Sequence, residues 1–164
     1  MVFDIIICLL LVVVLAALCN FIESVKRAQN YKVSMKESMD LIGLPVITMT
    51  NNKMKLNLLV DTGCDFSRID KSIVESLECK SLDDKRNVIT MSGEEMEGLG
   101  SCSIQLKYKK AIFEDDFEIL DLEQAFSFVK KSTGVQLHGI IGSNFLSKYG
   151  YVLNFKDLEI LIDK

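Results

Sequence analysis

The chain has 164 residues, a length typical of one ordinary domain with a short additional segment. Hydrophobic residues make up 49% and charged residues 26% of the sequence, a balance that excludes an intrinsically disordered chain. The net charge of -4 argues against a basic nucleic-acid surface, so we expect no nucleic-acid partner.

Histidine and cysteine usage bounds the metal chemistry. The sequence has one histidine and five scattered cysteines, with no Cys-x-x-Cys pair among them. A single histidine excludes a multi-histidine metal site, and the cysteine pattern disfavours a zinc knuckle or a disulfide framework. We therefore expect no metal and no cofactor, and a reducing environment is favoured.

The first feature along the chain is an apolar run from Ile5 to Ile22. As a helix it spans about 27 Å, close to the thickness of a bilayer's hydrocarbon core. A cleaved signal peptide is the alternative, but acidic Asp4 precedes the run and bulky Leu18 fits a cleavage site poorly. We therefore expect residues 1–25 to be a single-pass transmembrane anchor that holds the protein in a lipid membrane.

Basic residues follow this run and none precedes it. The positive-inside rule then places the C-terminal domain in the cytoplasm. Residues 26–40 are polar and charged without an apolar period, so we expect a linker, either a helical extension or a tether. A folded domain is expected over residues 41–164.

Short strands with turn signals between them dominate that domain, and short helical segments interrupt them. The expected strands are Leu44–Thr50, Lys55–Val60, Arg86–Met91, Ser101–Tyr108, Ala111–Leu120, Leu137–Ile141, Tyr151–Phe155 and Leu158–Ile162. The expected helices are Lys71–Leu77, Leu122–Lys131 and Ser143–Tyr149, the last with Ser143 as its cap. The fold class is therefore mainly β, with a short helix near the C-terminus.

One motif carries chemistry. Residues 58–67 (LLVDTGCDFS) place Asp61 directly after an apolar strand, in a turn that Gly63 opens. Taken alone, Asp-Thr-Gly is more often an ordinary turn than an active site. A second element, residues 139–146 (GIIGSNFL), follows later in the chain, before a closing hairpin.

Together these two motifs resemble the retropepsin-like aspartic proteases over residues 41–164. The resemblance implies a closed β-barrel, the acid-protease half-fold, and a catalytic Asp61-Thr62-Gly63. It also implies a polypeptide substrate. The sequence holds one Asp-Thr-Gly and no Asp-Ser-Gly, so two carboxylates require a homodimer.

Supporting residues follow from the same resemblance. Thr62 is expected to hydrogen-bond across the two-fold axis, and Ser67 to support the orientation of the carboxylate. In the second motif the matching positions are Gly142 and Asn144. Asp65 is expected either to bind substrate backbone or simply to be solvated.

The resemblance further implies a flap, a β-hairpin that closes over the substrate. Its counterpart is Val88–Gly100, which contains three glycines suited to a mobile hairpin. An exposed turn without a lid role is the alternative. The expected tip, which would contact substrate, consists of Met91, Ser92, Gly93 and Glu94.

Several positions depart from the retroviral pattern. Cys64 stands where Ala or Ser is usual and is interpreted as a small buried filler, with a redox brake on Asp61 as the alternative. Ser143 stands where retroviral enzymes carry an Arg that pairs with the acid matching Asp65. His138 is interpreted as a hydrogen-bonded strand residue, and Asp115, like the flap acids, as part of a solvated face.

The sequence thus predicts a membrane-anchored aspartic endopeptidase in which two Asp61 carboxylates activate water. A non-catalytic module of the same fold, binding peptides or dimerising at a membrane, is the alternative. This alternative is considered because Cys64 and Ser143 depart from the retroviral protease pattern.

Overall fold

The computed structural model describes residues 13–18, 31–82, 88–89 and 95–162. Within these residues the strands are β1 (Tyr31–Ser34), β2 (Val46–Asn51), β3 (Met54–Val60), β4 (Arg68–Asp70), β5 (Cys79–Leu82), β6 (Val88–Ile89), β7 (Glu95–Met96), β8 (Gly100–Tyr108), β9 (Ala111–Leu120), β10 (Gly139–Ile141), β11 (Tyr151–Asn154) and β12 (Glu159–Ile162). The α-helices are α1 (Lys36–Ile42), α2 (Glu123–Thr133) and α3 (Ser143–Lys148), and Lys71–Ser76 forms a 3-10 helix. The expectation of a mainly β domain with a short helix near the C-terminus is confirmed.

The main sheet closes on itself as a barrel of six strands. Its order is β2-β3-β10-β4-β9-β8, and β8 pairs back onto β2 at Thr50 and Lys107. β5 extends the sheet beyond β8. The pairing of β8 with β2 closes the six strands and confirms the expected closed barrel.

The short strand β10 holds the centre of this sheet. It pairs parallel with β3 and antiparallel with β4. A Cβ atom on Gly139 would lie 2.5 Å from the backbone oxygen of Arg68, so this position requires glycine. Because Asp61 directly follows β3 and Gly142 directly follows β10, the two sequence motifs meet at one end of adjacent strands.

A second sheet of order β1-β12-β11 packs against the barrel. β1 lies within the segment expected to be a linker, and the structure differs there. Val33 and Met35 are buried in the core, and the Met35 N–H donates to the backbone oxygen of Leu158. Residues 31–42 therefore pack as part of the folded domain, which in the structure begins before residue 41.

The core draws on alternate residues of the long strands. In β9 the buried positions alternate with exposed ones along the first seven residues. Aromatic rings fill the space between β9, α3 and β11 at centroid distances of 4.9 to 6.1 Å, namely Phe113, Phe145, Tyr149 and Tyr151. Helix α2 packs on the domain through Phe126, which belongs to a second, smaller apolar cluster.

Residues 13–18 are helical, and their side chains are exposed. The rest of the expected anchor, residues 1–25, lies outside the described residues. No helix in the described part of the chain is both long and apolar enough to cross a bilayer.

Candidate active site

The Asp61 carboxylate sits at the end of β3 and is fixed by its own turn. The backbone N–H of Asp61 donates to the backbone oxygen of Ile141 on β10 at 3.0 Å. Its Oδ1 accepts the Gly63 N–H at 2.9 Å, and its backbone oxygen accepts the Cys64 N–H at 3.2 Å. Within the described residues Oδ2 makes no hydrogen bond, so one carboxylate oxygen is held and the other is available to a reactant.

The two motifs are bonded directly to each other. The Ser143 N–H donates to the Cys64 oxygen at 2.7 Å, and the Asn144 N–H donates to the Asp65 oxygen at 3.0 Å. The first turn of α3 thereby ties down the Asp61 loop. Helix α3 begins with Gly142 as its N-cap, and the expected Ser143 cap is not observed, because the Ser143 hydroxyl instead reaches the Asp65 oxygen at 3.4 Å.

Gly142 is required by close approach of backbone to backbone. A Cβ atom there would lie 2.6 Å from both the carbonyl carbon and the oxygen of Phe66, and 2.9 Å from the Cys64 oxygen. No side chain fits in that space. The glycine therefore lets the two motifs come within hydrogen-bond distance of each other.

Ser67 and Asn144 are brought together beneath this junction. The buried Ser67 hydroxyl accepts the Gly142 N–H at 3.2 Å and donates to Asn144 Oδ1 at 3.3 Å. Ser67 thus supports the loop that carries Asp61 through Gly142, rather than contacting the carboxylate itself.

Asp115 extends the network, and sequence reasoning missed it. The residue is 8% exposed, and its carboxylate accepts a hydrogen bond from Asn144 Nδ2 at 3.2 Å and pairs with Lys148 at 2.8 Å. The hydrogen bond to this carboxylate raises the pKa of Lys148. The prediction of a solvated face is corrected for Asp115, because β9 turns alternate residues inward and Asp115 shares the inward face with Phe113 and Phe117.

Asp65 forms an ion pair with Arg68 of its own chain. Its Oδ1 accepts the Phe66 N–H at 2.9 Å and lies 3.4 Å from an Arg68 nitrogen. Arg68 also pairs with Glu118 at 3.3 Å. The Asp65 side chain is 75% exposed while that of Arg68 is 18% exposed, so the guanidinium is held in place and the carboxylate faces solvent. Arg68 lies three residues after Asp65, and this short spacing is the feature of the sequence that could have predicted the ion pair.

Cys64 is a buried thiol in the Asp61 turn. It is 4% exposed and its Sγ donates to the Phe66 oxygen at 3.1 Å. Burial raises the pKa of this thiol to about 11, so it is protonated at neutral pH. That state favours the interpretation as a filler over a reactive thiol.

His138 lies next to β10 and bonds to β3. Its Nδ1 accepts the Asn57 N–H at 3.0 Å, and burial lowers the pKa of its imidazole. The neutral imidazole therefore bonds to β3 from the residue just before β10: the expected hydrogen bond is present, but His138 itself lies outside the strand.

The flap region is described at its base. β6 and β7 pair antiparallel, with Val88 opposite Met96 and Ile89 opposite Glu95. The expected tip of Met91, Ser92, Gly93 and Glu94 lies outside the described residues. A cavity of about 120 Å³ is lined by residues of β5, β8 and β9 and by Phe66, and it includes Gly100, the last residue of the predicted flap. Thr62 is exposed at the end of the Asp61 turn.

Comparison with known proteins identifies a family for this chain. A family model described as aspartyl protease matches residues 46–145. A search of curated proteins found no match. The chain is similar to the EIAV protease complexed with the inhibitor HBY-793, at 20% identity over 68% of this chain and 93% of that chain, with a TM-score of 0.48.

Two further solved structures are similar over most of the domain. One is the retroviral protease-like domain of Ddi1 from Leishmania major, at 15% identity over 74% of this chain and 89% of that chain, with a TM-score of 0.53. The other is a retropepsin-like aspartic protease from Rickettsia conorii, at 16% identity over 82% of this chain and 89% of that chain, with a TM-score of 0.51. These two likenesses show that the fold is retropepsin-like.

Proposed function

This chain belongs to the family of retropepsin-like aspartyl proteases, and from that premise we propose that it is an aspartic endopeptidase active as a homodimer. The observation that carries the proposal is the fixed Asp61 turn, in which Oδ1 is held by Gly63 while Oδ2 has no partner among the described residues. A carboxylate presented in this way suits activation of a water molecule.

The proposed chemistry needs a second carboxyl group. Two carboxyl groups held about 3 Å apart share one proton, because both cannot ionise so close together. The ionised carboxylate takes a proton from water while the protonated carboxyl group polarises the peptide carbonyl. The pair titrates as a unit. The chain contributes one Asp-Thr-Gly, so the second Asp61 comes from another copy.

We propose that the substrate is an extended polypeptide held between the Asp61 turn and the flap hairpin. The cavity lined by Phe66 and Gly100 supports this, because Phe66 follows the Asp61 turn and Gly100 is the last residue of the predicted flap. Closure of the hairpin would exclude water other than the attacking molecule. Arg68 pairs with Asp65, and the exposed Asp65 carboxylate can accept a hydrogen bond from substrate backbone.

Membrane attachment is a separate part of the proposal. We infer that the apolar N-terminal segment anchors the protein in a bilayer as a single span, with the protease domain in the cytoplasm. The sequence from Ile5 to Ile22 supports this, as do the exposed apolar side chains of the helical residues 13–18. Fractionation of cells that express the full chain, followed by protease protection, tests both the anchor and its side.

The decisive experiment is Asp61→Asn in the full chain, assayed on a peptide library from acid to neutral pH. Cleavage should fall to background because one water-activating carboxylate is lost from each copy. Asp40→Asn, at an exposed position in α1, serves as the control and should retain full activity. Full cleavage by Asp61→Asn would refute the proposal, and a wild-type dimer that cleaves nothing across this pH range would identify a binding module instead.

A further inference from the structure

Two cysteines lie side by side on the strands that precede and follow the predicted flap in the chain. Cys79 is the first residue of β5 and Cys102 is the third residue of β8, and these two strands pair antiparallel. Cys79 stands opposite Ile104 and Cys102 stands opposite Ser81, so the two cysteines are diagonal neighbours on one face of the sheet. Both side chains belong to the main apolar cluster.

The two thiol groups are in contact and differ in exposure. Both are free, and the Cys102 thiol shares a side-chain hydrogen bond with Cys79. Cys102 is 1% exposed, whereas Cys79 is half-buried. Burial, together with the neighbouring Cys79, raises the pKa of the Cys102 thiol to about 12, so Cys102 alone is a poor nucleophile at neutral pH. An oxidant therefore reaches the pair through Cys79.

We propose that Cys79 and Cys102 form a redox modification site, which a low-molecular-weight disulfide such as oxidised glutathione converts to an intramolecular disulfide. The Cys79 thiol loses its proton and attacks one sulfur of the oxidant, which forms a mixed disulfide and releases one thiolate. Cys102 then loses its proton and attacks the Cys79 sulfur, which forms the protein disulfide and releases the second thiolate. The two cysteines give up two electrons and two protons, and the oxidant becomes two thiols. The contact between the cysteines makes the second step intramolecular, which compensates for the high pKa of Cys102.

The position of the pair makes this disulfide a reversible one. A disulfide requires Cα atoms about 4.4–6.8 Å apart, whereas diagonal neighbours of an antiparallel pair lie about 7–8 Å apart. Closing the bridge therefore draws β5 towards β8 by about 1 Å. Strained disulfides are reduced more readily than relaxed ones, which suits a regulatory modification rather than a permanent crosslink.

The same two strands connect the pair to the proposed substrate region. β5 precedes the predicted flap, Val88–Gly100, and β8 begins at the last residue of that flap. Phe117 on β9 stands opposite Cys102 and lines the cavity, as does Leu82 at the end of β5. A bridge that draws β5 towards β8 therefore shifts the cavity wall and restricts the hairpin. This effect on cleavage rests on the proposed function, whereas formation of the bridge does not.

Redox titration of the full chain in detergent tests the site. The protein is equilibrated in mixtures of reduced and oxidised glutathione, free thiols are blocked with iodoacetamide, and linked peptides are mapped by mass spectrometry. Trypsin separates the two cysteines, because Lys80, Lys85 and Arg86 lie between them. We expect a linked peptide pair that contains Cys79 and Cys102, together with a loss of cleavage of about fivefold or more that dithiothreitol reverses.

Three variants assign the effect to this pair. Cys79→Ser and Cys102→Ala should yield no linked pair and should retain, in the oxidising mixture, the cleavage that each shows when reduced. Cys79→Ser changes a half-buried position, so it keeps the test valid if Cys102→Ala fails to fold. Cys64→Ala removes the other buried thiol and is the control, which should still form the bridge.

The outcomes separate this inference from the proposed function. If no Cys79–Cys102 peptide appears at any glutathione ratio, the inference is overturned while proteolysis stands. If the oxidising mixture also inactivates Cys79→Ser, another thiol is responsible and the inference is again overturned. A bridge that leaves cleavage unchanged overturns the regulatory role. If the bridge forms in a protein that cleaves nothing even when reduced, the modification site stands and the proposed function fails.

Discussion

Two glycines in the active-site region are expected to respond differently to the same added methyl group. In Gly142→Ala, the new Cβ would lie 2.6 Å from two backbone atoms of Phe66 and 2.9 Å from the Cys64 oxygen. Backbone atoms cannot rotate away as a side-chain tip can, so α3 and the Asp61 loop must separate. Forced overpacking of this kind costs about 1–3 kcal/mol, and the three contacts place this site at the upper end.

Gly63→Ala meets a milder obstacle. Its Cβ would lie 3.2 Å from Asp61 Oδ1, and Gly63 does not occupy the left-handed region that disfavours alanine. The free energy of unfolding should therefore change by less than about 1 kcal/mol, partly because alanine restricts the unfolded chain. The methyl group nevertheless presses on the Asp61 carboxylate, which is the proposed catalytic group, so cleavage should fall.

Urea unfolding and peptide cleavage, measured side by side, distinguish the two effects. Gly142→Ala should lower the urea midpoint by about 1 M, given a typical dependence of 1–3 kcal/mol per M. Gly63→Ala should leave the midpoint almost unchanged while activity drops. A Gly142→Ala protein as stable as wild type would refute the close approach of the two motifs.

Three further predictions concern the rest of the domain. The Tyr151 hydroxyl is buried without a hydrogen-bond partner among the described residues, so Tyr151→Phe should stabilise the fold or leave it unchanged. Tyr149→Phe is the comparison: it loses two hydrogen bonds to the Glu114 backbone and should cost about 1 kcal/mol in urea unfolding. Because burial lowers the pKa of His138, the unfolded chain takes up its proton first as the pH falls. The free energy of unfolding should then decrease below pH 6.5, the ordinary pKa of the group, and His138→Asn should reduce that slope in a pH series of unfolding curves. Asp115→Asn removes a buried carboxylate from its ion pair with half-exposed Lys148 and should cost about 1–2 kcal/mol, against less than 0.5 kcal/mol for exposed Asp116→Asn, in the same unfolding assay.

Local sequence patterns predict an element correctly where residues close together in the chain determine its structure. The β2–β3 hairpin follows from alternation on either side of a polar turn, and Asn52 there adopts a positive φ of 50°. The Asp-Thr-Gly turn and the Gly142 element were located by motif. Their meeting was implied by the resemblance rather than by any local signal, because a parallel pairing of β3 with β10 leaves no mark in either segment alone.

Long-range pairing explains what the sequence did not reveal. Tyr31–Ser34 is too short and too polar to indicate a strand, and it becomes one because the far end of the chain supplies β12 as partner. Met35 looked like part of a tether, yet it is 1% exposed. The inward position of Asp115 was available from strand alternation, but an acidic residue beside a second acid was interpreted as surface.

The central position of β10 has a consequence for synthesis on the ribosome. β3 and β4 flank this strand, yet they emerge well before it is translated. Until Gly139–Ile141 arrives, both flanking strands have unsatisfied backbone groups that a neighbouring nascent chain can bind. Folding of the barrel must therefore await the last quarter of the polypeptide, and this high contact order makes slow, chaperone-sensitive maturation the expected behaviour.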